Sequence, residues 1–197
     1  MAQVRTITLP HFPAHPLQIA LYKSVTNAAH LRTQLLSANP TYDYAFLDAT
    51  MILSPRHLLL AAALALHAHL QGTTKTRTPH SELVFRLHPN NNIGESYRKF
   101  GIGDSTSEIV VVKFSLADDV TRESVGRHLG EVVRGTSVEI REGGEELGMW
   151  ADEGKIRKVY KLNGHGGGKK GAMNGAAKDE RGELESVILG SITLKGS

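Results

Sequence analysis

The stretch Ser54–Leu70, SPRHLLLAAALALHAHL, constrains the fold more than any other part of this chain. Ser54 followed by Pro55 is a helix start. A serine oxygen accepts an orphan N–H of the first turn, and proline at the first helical position has no N–H to lose. From Pro55 to about Leu70, leucine and alanine fall on every face, so the helix has to be central and buried, and Gly72 closes it. Its apolar run, Leu58–Leu66, is too short for a bilayer, which takes about 20 residues. The rest of the chain must therefore supply the cover.

With 197 residues, the chain is long enough for one domain with a core of its own. Val4, Ile7 and Leu9 suggest a first strand, and Leu17–Tyr22 a second, joined by the proline-rich loop HFPAHP. Thr26 or Asn27 caps a helix that turns Ala28, Leu31, Leu35 and Leu36 to the core, and Pro40 ends that region. Tyr44–Ile52 fits either a strand or a short helix. Polar Thr73–Pro79 is a loop. Leu83, Phe85 and Leu87 alternate with Glu82, Val84 and Arg86, which predicts a strand that Pro89 stops. Asn90-Asn91-Asn92 then caps a short helix carrying Ile93, Tyr97 and Phe100, with Gly101 at its end. Glu108–Phe114 is an unbroken β-branched run, the pattern of a strand buried on both faces.

A helix follows from Ala117-Asp118-Asp119, using Val120, Val125, Leu129, Val132 and Val133 and ending at Gly135. Val138–Arg141 is a short strand or a turn, and Glu145–Tyr160 two short helices around Trp150. Residues Asn163–Gly182 are dominated by glycine, lysine and alanine and read as a flexible insertion that tolerates shortening. The last helix, Glu183 to about Ile192, has an apolar stripe of Leu184, Val187, Ile188 and Ile192. The fold class is α+β: one domain, residues 1–197, with a small, mostly antiparallel sheet packed with helices, the insertion at 163–182 and the C-terminal helix at 183–194.

Few residues offer chemistry. Cysteine is absent, which removes disulfides and thiolate metal sites and fits a reducing compartment. The N-terminal MAQVRTITLPHFP lacks the apolar run of a signal peptide. The ten histidines include no HExxH and no Cys/His pair, and on the helix of His57 and His67 no carboxylate follows at ligand spacing, so neither a metal nor a cofactor is expected. Gly101-x-Gly103-Asp104 precedes a strand and Gly166–Lys170 lacks the Ser/Thr of a phosphate loop, so the first reads as a turn and the second as linker. The acidic pairs Asp118/Asp119, Glu145/Glu146 and Asp152/Glu153 fall at helix starts, where negative charge complements the dipole. No nucleophile–base pair is legible, and no enzymatic activity is expected. Net charge is +3. Basic residues gather at Lys155, Arg157, Lys158 and Lys161 around Tyr160, with Lys23, Arg32, Lys75 and Arg77 elsewhere. A tyrosine among lysines could stack a base while the lysines hold phosphate; a solvated helix face with a half-buried tyrosine is the alternative.

The strings KSVTNAAHLRTQLL (Lys23–Leu36), NPTYDYAFLDATMILSPRHLLLAAALAL (Asn39–Leu66), HSELVFRLHPNNNIGESYRKFGI (His80–Ile102), SEIVVVKFS (Ser107–Ser115), IRKVYKL (Ile156–Leu162) and LESVILGSITLKGS (Leu184–Ser197) stand in one order along the chain. In that order they resemble the PRPK-binding protein (TPRKB, CGI121-like) family, the kinase-binding subunit of the KEOPS/EKC complex, and are most similar to its fungal members. Only Asn163–Gly182 departs from the pattern. The resemblance implies a helix at Tyr44–Ile52 and a non-catalytic accessory subunit. Its implied partners are the kinase/ATPase subunit, through it the other KEOPS subunits, and tRNA, with no membrane contact. It would tune the kinase allosterically in threonylcarbamoyladenosine (t6A) modification of tRNA. The nucleus and cytoplasm, and telomere and transcription roles of the complex, also follow from the resemblance alone. Residues carried over to the kinase interface are Leu184, Val187, Ile188, Ile192 and Leu194. The expectation attached to them is that Ile188→Arg abolishes kinase binding and leaves the fold intact. A stand-alone small RNA-binding protein is the alternative.

Overall fold

The computed structural model describes residues 1–162 and 175–195. Among these, five strands form one sheet: β1 (Val4–Ile7), β2 (Leu17–Lys23), β3 (Ala45–Asp48), β4 (Ile109–Phe114) and β5 (Thr136–Val138). Their order is β1-β2-β4-β3, with β5 also against β2. Every pairing is antiparallel, for example Ile19 opposite Val112 and Leu47 opposite Val110. The helices are α1 (Ala28–Leu36), α2 (Pro55–Leu70), α3 (Pro79–Leu87), α4 (Ile93–Phe100), α5 (Arg122–Val132), α6 (Glu153–Val159) and α7 (Gly175–Leu194). The α+β class holds.

The sheet has a core on each face. Leu17, Ile19, Leu21, Ala45, Leu47, Val110, Val112 and Phe114 point to one face, where α2, α3, α6 and α7 cover them. Ala20, Tyr22, Phe46, Ile109 and Val111 point to the other, under Leu31 of α1 and Val125 and Leu129 of α5. A strand covered on both faces loses the polar half of its alternation. That accounts for the unbroken run in β4, as its sequence implies, and for the ambiguity of Ala45–Asp48. The latter is a strand, not the helix that the resemblance implied: a short apolar run cannot be assigned by period, and pairing with β4 decides it.

The second correction is α3, expected as a strand. Thr78 caps it, Ser81 closes a capping box with Thr78, and Pro79 occupies the first turn. Nearly all of α3 is buried, Glu82 and Arg86 included, and a six-residue alternation mimicked a strand. α2 is as expected, with the Ser54 hydroxyl accepting from His57 N. Gly72 closes it at φ +66°, a left-handed turn suited to glycine. α4 is capped by Asn92, but only Phe100 of its three expected core residues is buried; Ile93 and Tyr97 are exposed. Gly101 has φ −73°, so it is no left-handed cap; a Cβ there would stand 2.6 Å from Tyr97 O. α5 starts at Arg122 behind the Thr121 cap, later than Ala117–Asp119. Leu36, expected in the core, is exposed. α7 reaches back to Gly175, inside the stretch expected as insertion; residues 163–174 of that stretch lie outside the described residues.

Candidate functional site

α7 crosses the start of α2 and is tied at both ends. The Ser54 hydroxyl bonds the Glu185 carboxylate, and Arg56 lies 3.7 Å from it. Arg181 Nη2 donates to Leu53 O at 2.7 Å and to Gly148 O at 3.2 Å. At the far end Lys195 Nζ donates to Phe85 O and, at 2.8 Å, to His88 O, the last carbonyls of α3. Burial, and next the charge of Arg86, push the Lys195 amine down to about 7.

This docking turns the apolar stripe inward. Leu184, Ile188 and Ile192 sit in the chain's own core, so they are not open to a partner in this fold. Of the five residues assigned to a kinase interface, Val187 and Leu194 face solvent, at 48% and 75% exposure, beside Ser186 and Gly190. The outward row of α2 is also apolar. Leu59, Leu60, Ala63 and Leu64 are half-buried and Leu70 is exposed, with Arg56 and His67 as its polar members. Leu59, Leu60 and Ala63 also pack against the chain's own core, and of the apolar members only Leu70 is exposed.

The basic cluster divides in the same way. Lys155, Lys158 and Lys161 are exposed and Arg157 is half-buried on and beside α6. Tyr160 is buried and cannot stack a base. Its hydroxyl donates to Leu87 O and meets His57 Nε2 at 3.1 Å, while His57 Nδ1 accepts from Leu53 N at 3.2 Å. With Nδ1 an acceptor, the neutral ring carries its proton on Nε2. The chain Leu53–His57–Tyr160–Leu87 thus stitches α2, α6 and α3 together. Burial drives the His57 pKa down to about 3 and raises that of the Tyr160 phenol.

A cavity of about 840 Å³ lies elsewhere and was not expected. Its wall takes Arg32, Leu35 and Leu36 from α1, Tyr42 from the turn after it, Tyr44 and Phe46 at β3, Arg77 and Thr78 before α3, Ser81 and Val84 from α3, and Tyr97 and Arg98 from α4. Gly101, Gly103 and Asp104, read from sequence as a turn, complete the wall. Arg32 is paired with Asp104 at 3.1 Å and Arg98 with Glu95. Arg77 is exposed and in no ion pair among the described residues.

Asp43 supplies the acceptor of this cavity. Burial would raise its carboxyl, but His80, Lys113 and the Thr78 hydroxyl together hold it below the usual carboxylate range. His80 is buried; its Nε2 accepts from Phe114 N at 3.1 Å, and Nδ1 lies 3.1 Å from Asp43 Oδ2. Lys113 Nζ donates to Asp43 O at 2.6 Å and sits 4.9 Å over the Tyr44 ring. Tyr44 also stacks on His128 with ring centroids 5.6 Å apart, and its hydroxyl meets His128 Nδ1 at 2.9 Å. Burial, then the Asp43 charge, raise Tyr44 to about 12, so it stays a neutral phenol. The rings of Tyr42 and Tyr97, the guanidinium groups and the carboxylates of Asp43 and Asp104 can together hold a planar heterocycle and a phosphate. They form no nucleophile–base pair, and no group of three or more metal-ligating side chains occurs among the described residues. The lining is spread from Arg32 to Asp104, so no local motif announces it; the one sequence signal was the stray arginines Arg32 and Arg77.

The family described as kinase binding protein CGI-121 matches residues 22–196. The EKC/KEOPS complex subunit CGI121 of Phaeosphaeria nodorum is 52% identical, with 99% of this chain and 100% of that protein covered. The subunit of the same name in Aspergillus fumigatus is 45% identical over 98% of this chain and 97% of its own. That of Schizosaccharomyces pombe is 37% identical over 79% and 87%. A match that runs through both sheet faces, α2 and α7 makes this chain a member of the CGI-121 family of kinase-binding proteins.

Proposed function

We propose that this chain is a non-catalytic subunit of an EKC/KEOPS-type complex and that it binds the kinase/ATPase subunit of that complex through the outer faces of α2 and α7. The observation that carries this is the half-buried apolar row on the outer side of α2, Leu59, Leu60, Ala63 and Leu64, on a molecule whose α7 stripe is already used internally. The interface then centres on α2, with Val187 and Leu194 of α7 beside it, in place of the inward stripe. A charge placed in such a face is desolvated on binding and costs several kcal/mol, and each 1.4 kcal/mol is a factor of ten in affinity. Leu60→Arg and Val187→Arg should each lower kinase affinity at least tenfold in a titration with the purified kinase subunit and leave the circular dichroism melt unchanged. Native affinity in both variants would refute this face.

The role proposed for the complex is t6A modification of tRNA, in the nucleus and cytoplasm. The aromatic and arginine-lined cavity is where this chain would hold an unstacked part of tRNA, with Lys155, Lys158 and Lys161 as outlying phosphate contacts. Tyr97→Ala and Arg77→Glu should weaken binding of a tRNA transcript, with affinity falling steeply as salt rises. A chain that binds tRNA and no kinase would instead be a stand-alone RNA-binding protein. Size exclusion of the chain mixed with kinase, then with tRNA, separates the two.

A further inference from the structure

We infer that Glu82 is a positioning residue of the cavity: its carboxylate, buried inside α3, holds the loop that presents Arg77 and Thr78 to the bound ligand. Glu82 is 0% exposed. Oε2 accepts from Lys75 N at 2.9 Å, Thr76 N at 3.1 Å and Thr76 Oγ1 at 3.0 Å, and Oε1 accepts from Arg86 Nε at 2.8 Å. Both oxygens are committed, one to the loop and one to the helix. No hydrophobic residue lies between Gly72 and Pro79, and Thr73, Lys75 and Arg77 are exposed, so the loop is held by hydrogen bonds: Thr73 N donates to Ala68 O at 2.8 Å, Ser81 Oγ donates to Thr76 Oγ1 at 3.0 Å, and Glu82 takes both middle backbone N–H groups. A buried carboxylate is costly to desolvate, and three bonds from one oxygen to a surface loop exceed what capping α3 requires, since Thr78 and Ser81 already do that. What those bonds fix is the backbone two residues before Arg77 and Thr78, both of which line the cavity. Glu82 touches no ligand itself. Lys195, whose Nζ donates to Phe85 O and His88 O, ties the end of α7 to the same helix. The loop is therefore anchored on the element that α7 grips.

The inference rests on the reading of the cavity as the tRNA site, and its test separates the two. Glu82→Gln keeps the shape but offers one acceptor in place of two, so either the loop or Arg86 loses its partner. The double change Glu82→Gln with Arg86→Gln restores the match: the new amide turns its oxygen to the loop and its NH2 to the second glutamine. Loop order is read without ligand, because Lys75–Thr76 and Arg77–Thr78 are trypsin sites in the tethered segment. The cavity is read with a labelled tRNA transcript. Glu82→Gln should speed cutting at these two bonds about tenfold and weaken tRNA binding about tenfold, the worth of one hydrogen bond to a charged group. The double variant should recover both, and kinase affinity should not move. Thr76→Val, which removes one of the three bonds to Oε2 and leaves both backbone ones, should shift both readouts the same way by a smaller factor and serves if Glu82→Gln does not fold. Unchanged cutting overturns the tether, and faster cutting with native tRNA affinity overturns its service to the cavity. If the unaltered chain binds no tRNA, the cavity reading fails, and cutting alone decides whether Glu82 holds the loop.

Discussion

The polar side chains of this core are neutral or fully committed. His57 is the clearest case, with one ring nitrogen accepting from Leu53 N and the other meeting the Tyr160 hydroxyl. An unfolded imidazole takes its proton near pH 6.5, whereas burial delays protonation of the folded His57 to about 3. Between those values the unfolded chain binds the extra proton, so this group withdraws stability as pH falls from 6.5 toward 3, at up to about 1.4 kcal/mol per pH unit. Above pH 6.5 it contributes no pH dependence. In an NMR titration of the folded protein the His57 ring should stay neutral down to pH 5; a midpoint above that would show that the ring is hydrated. Tyr160→Phe removes the hydroxyl that serves Leu87 O and faces His57. It should cost about 1–3 kcal/mol in a denaturant titration, because it leaves buried partners unsatisfied.

At the scale of the element, α7 shows that an apolar stripe does not name what it packs against. Leu184, Ile188 and Ile192 have the spacing of a face, and spacing says nothing of what the face meets. They pack inward, on the core that α2 builds. Ile188→Arg would bury an unpaired charge, so it should destabilise the chain by roughly 3–5 kcal/mol, reported by a large drop in melting temperature. A native melt for that variant would return Ile188 to an outer face. Arg181, near the start of the described side chains of α7, donates to Leu53 O and Gly148 O. Arg181→Ala should cost about 1–2 kcal/mol, reduced by its exposure to solvent.

For the whole molecule, two cores back to back on one sheet leave the cavity and the α2–α7 surface on separate elements, joined through α3. Loop closure costs roughly 0.6 kcal/mol per doubling. Deleting residues 166–174 should therefore leave the melt nearly unchanged. Carrying the deletion through Arg181 should lower it, because those residues belong to α7 and its anchor. A thermal melt of the two deletions compares these outcomes directly.

By itself the sequence determined the elements whose ends are set by their own residues. The Ser54 and Asn92 caps, the left-handed Gly72 and the buried run Ile109–Phe114 act within one or two turns, so local chemistry specifies them. The family was legible in the same way, from strings in a fixed order. Tertiary structure decided the rest. Ala45–Asp48 is a strand because β4 supplies its hydrogen bonds, and Pro79–Leu87 is a helix buried on nearly all sides, its Glu82 and Arg86 included. Tyr160 points inward because His57 and Leu87 O, far away along the chain, satisfy its hydroxyl. The cavity gathers side chains from Arg32 to Asp104. Proximity of that kind is created by packing two layers on a sheet, and no periodicity in the chain encodes it.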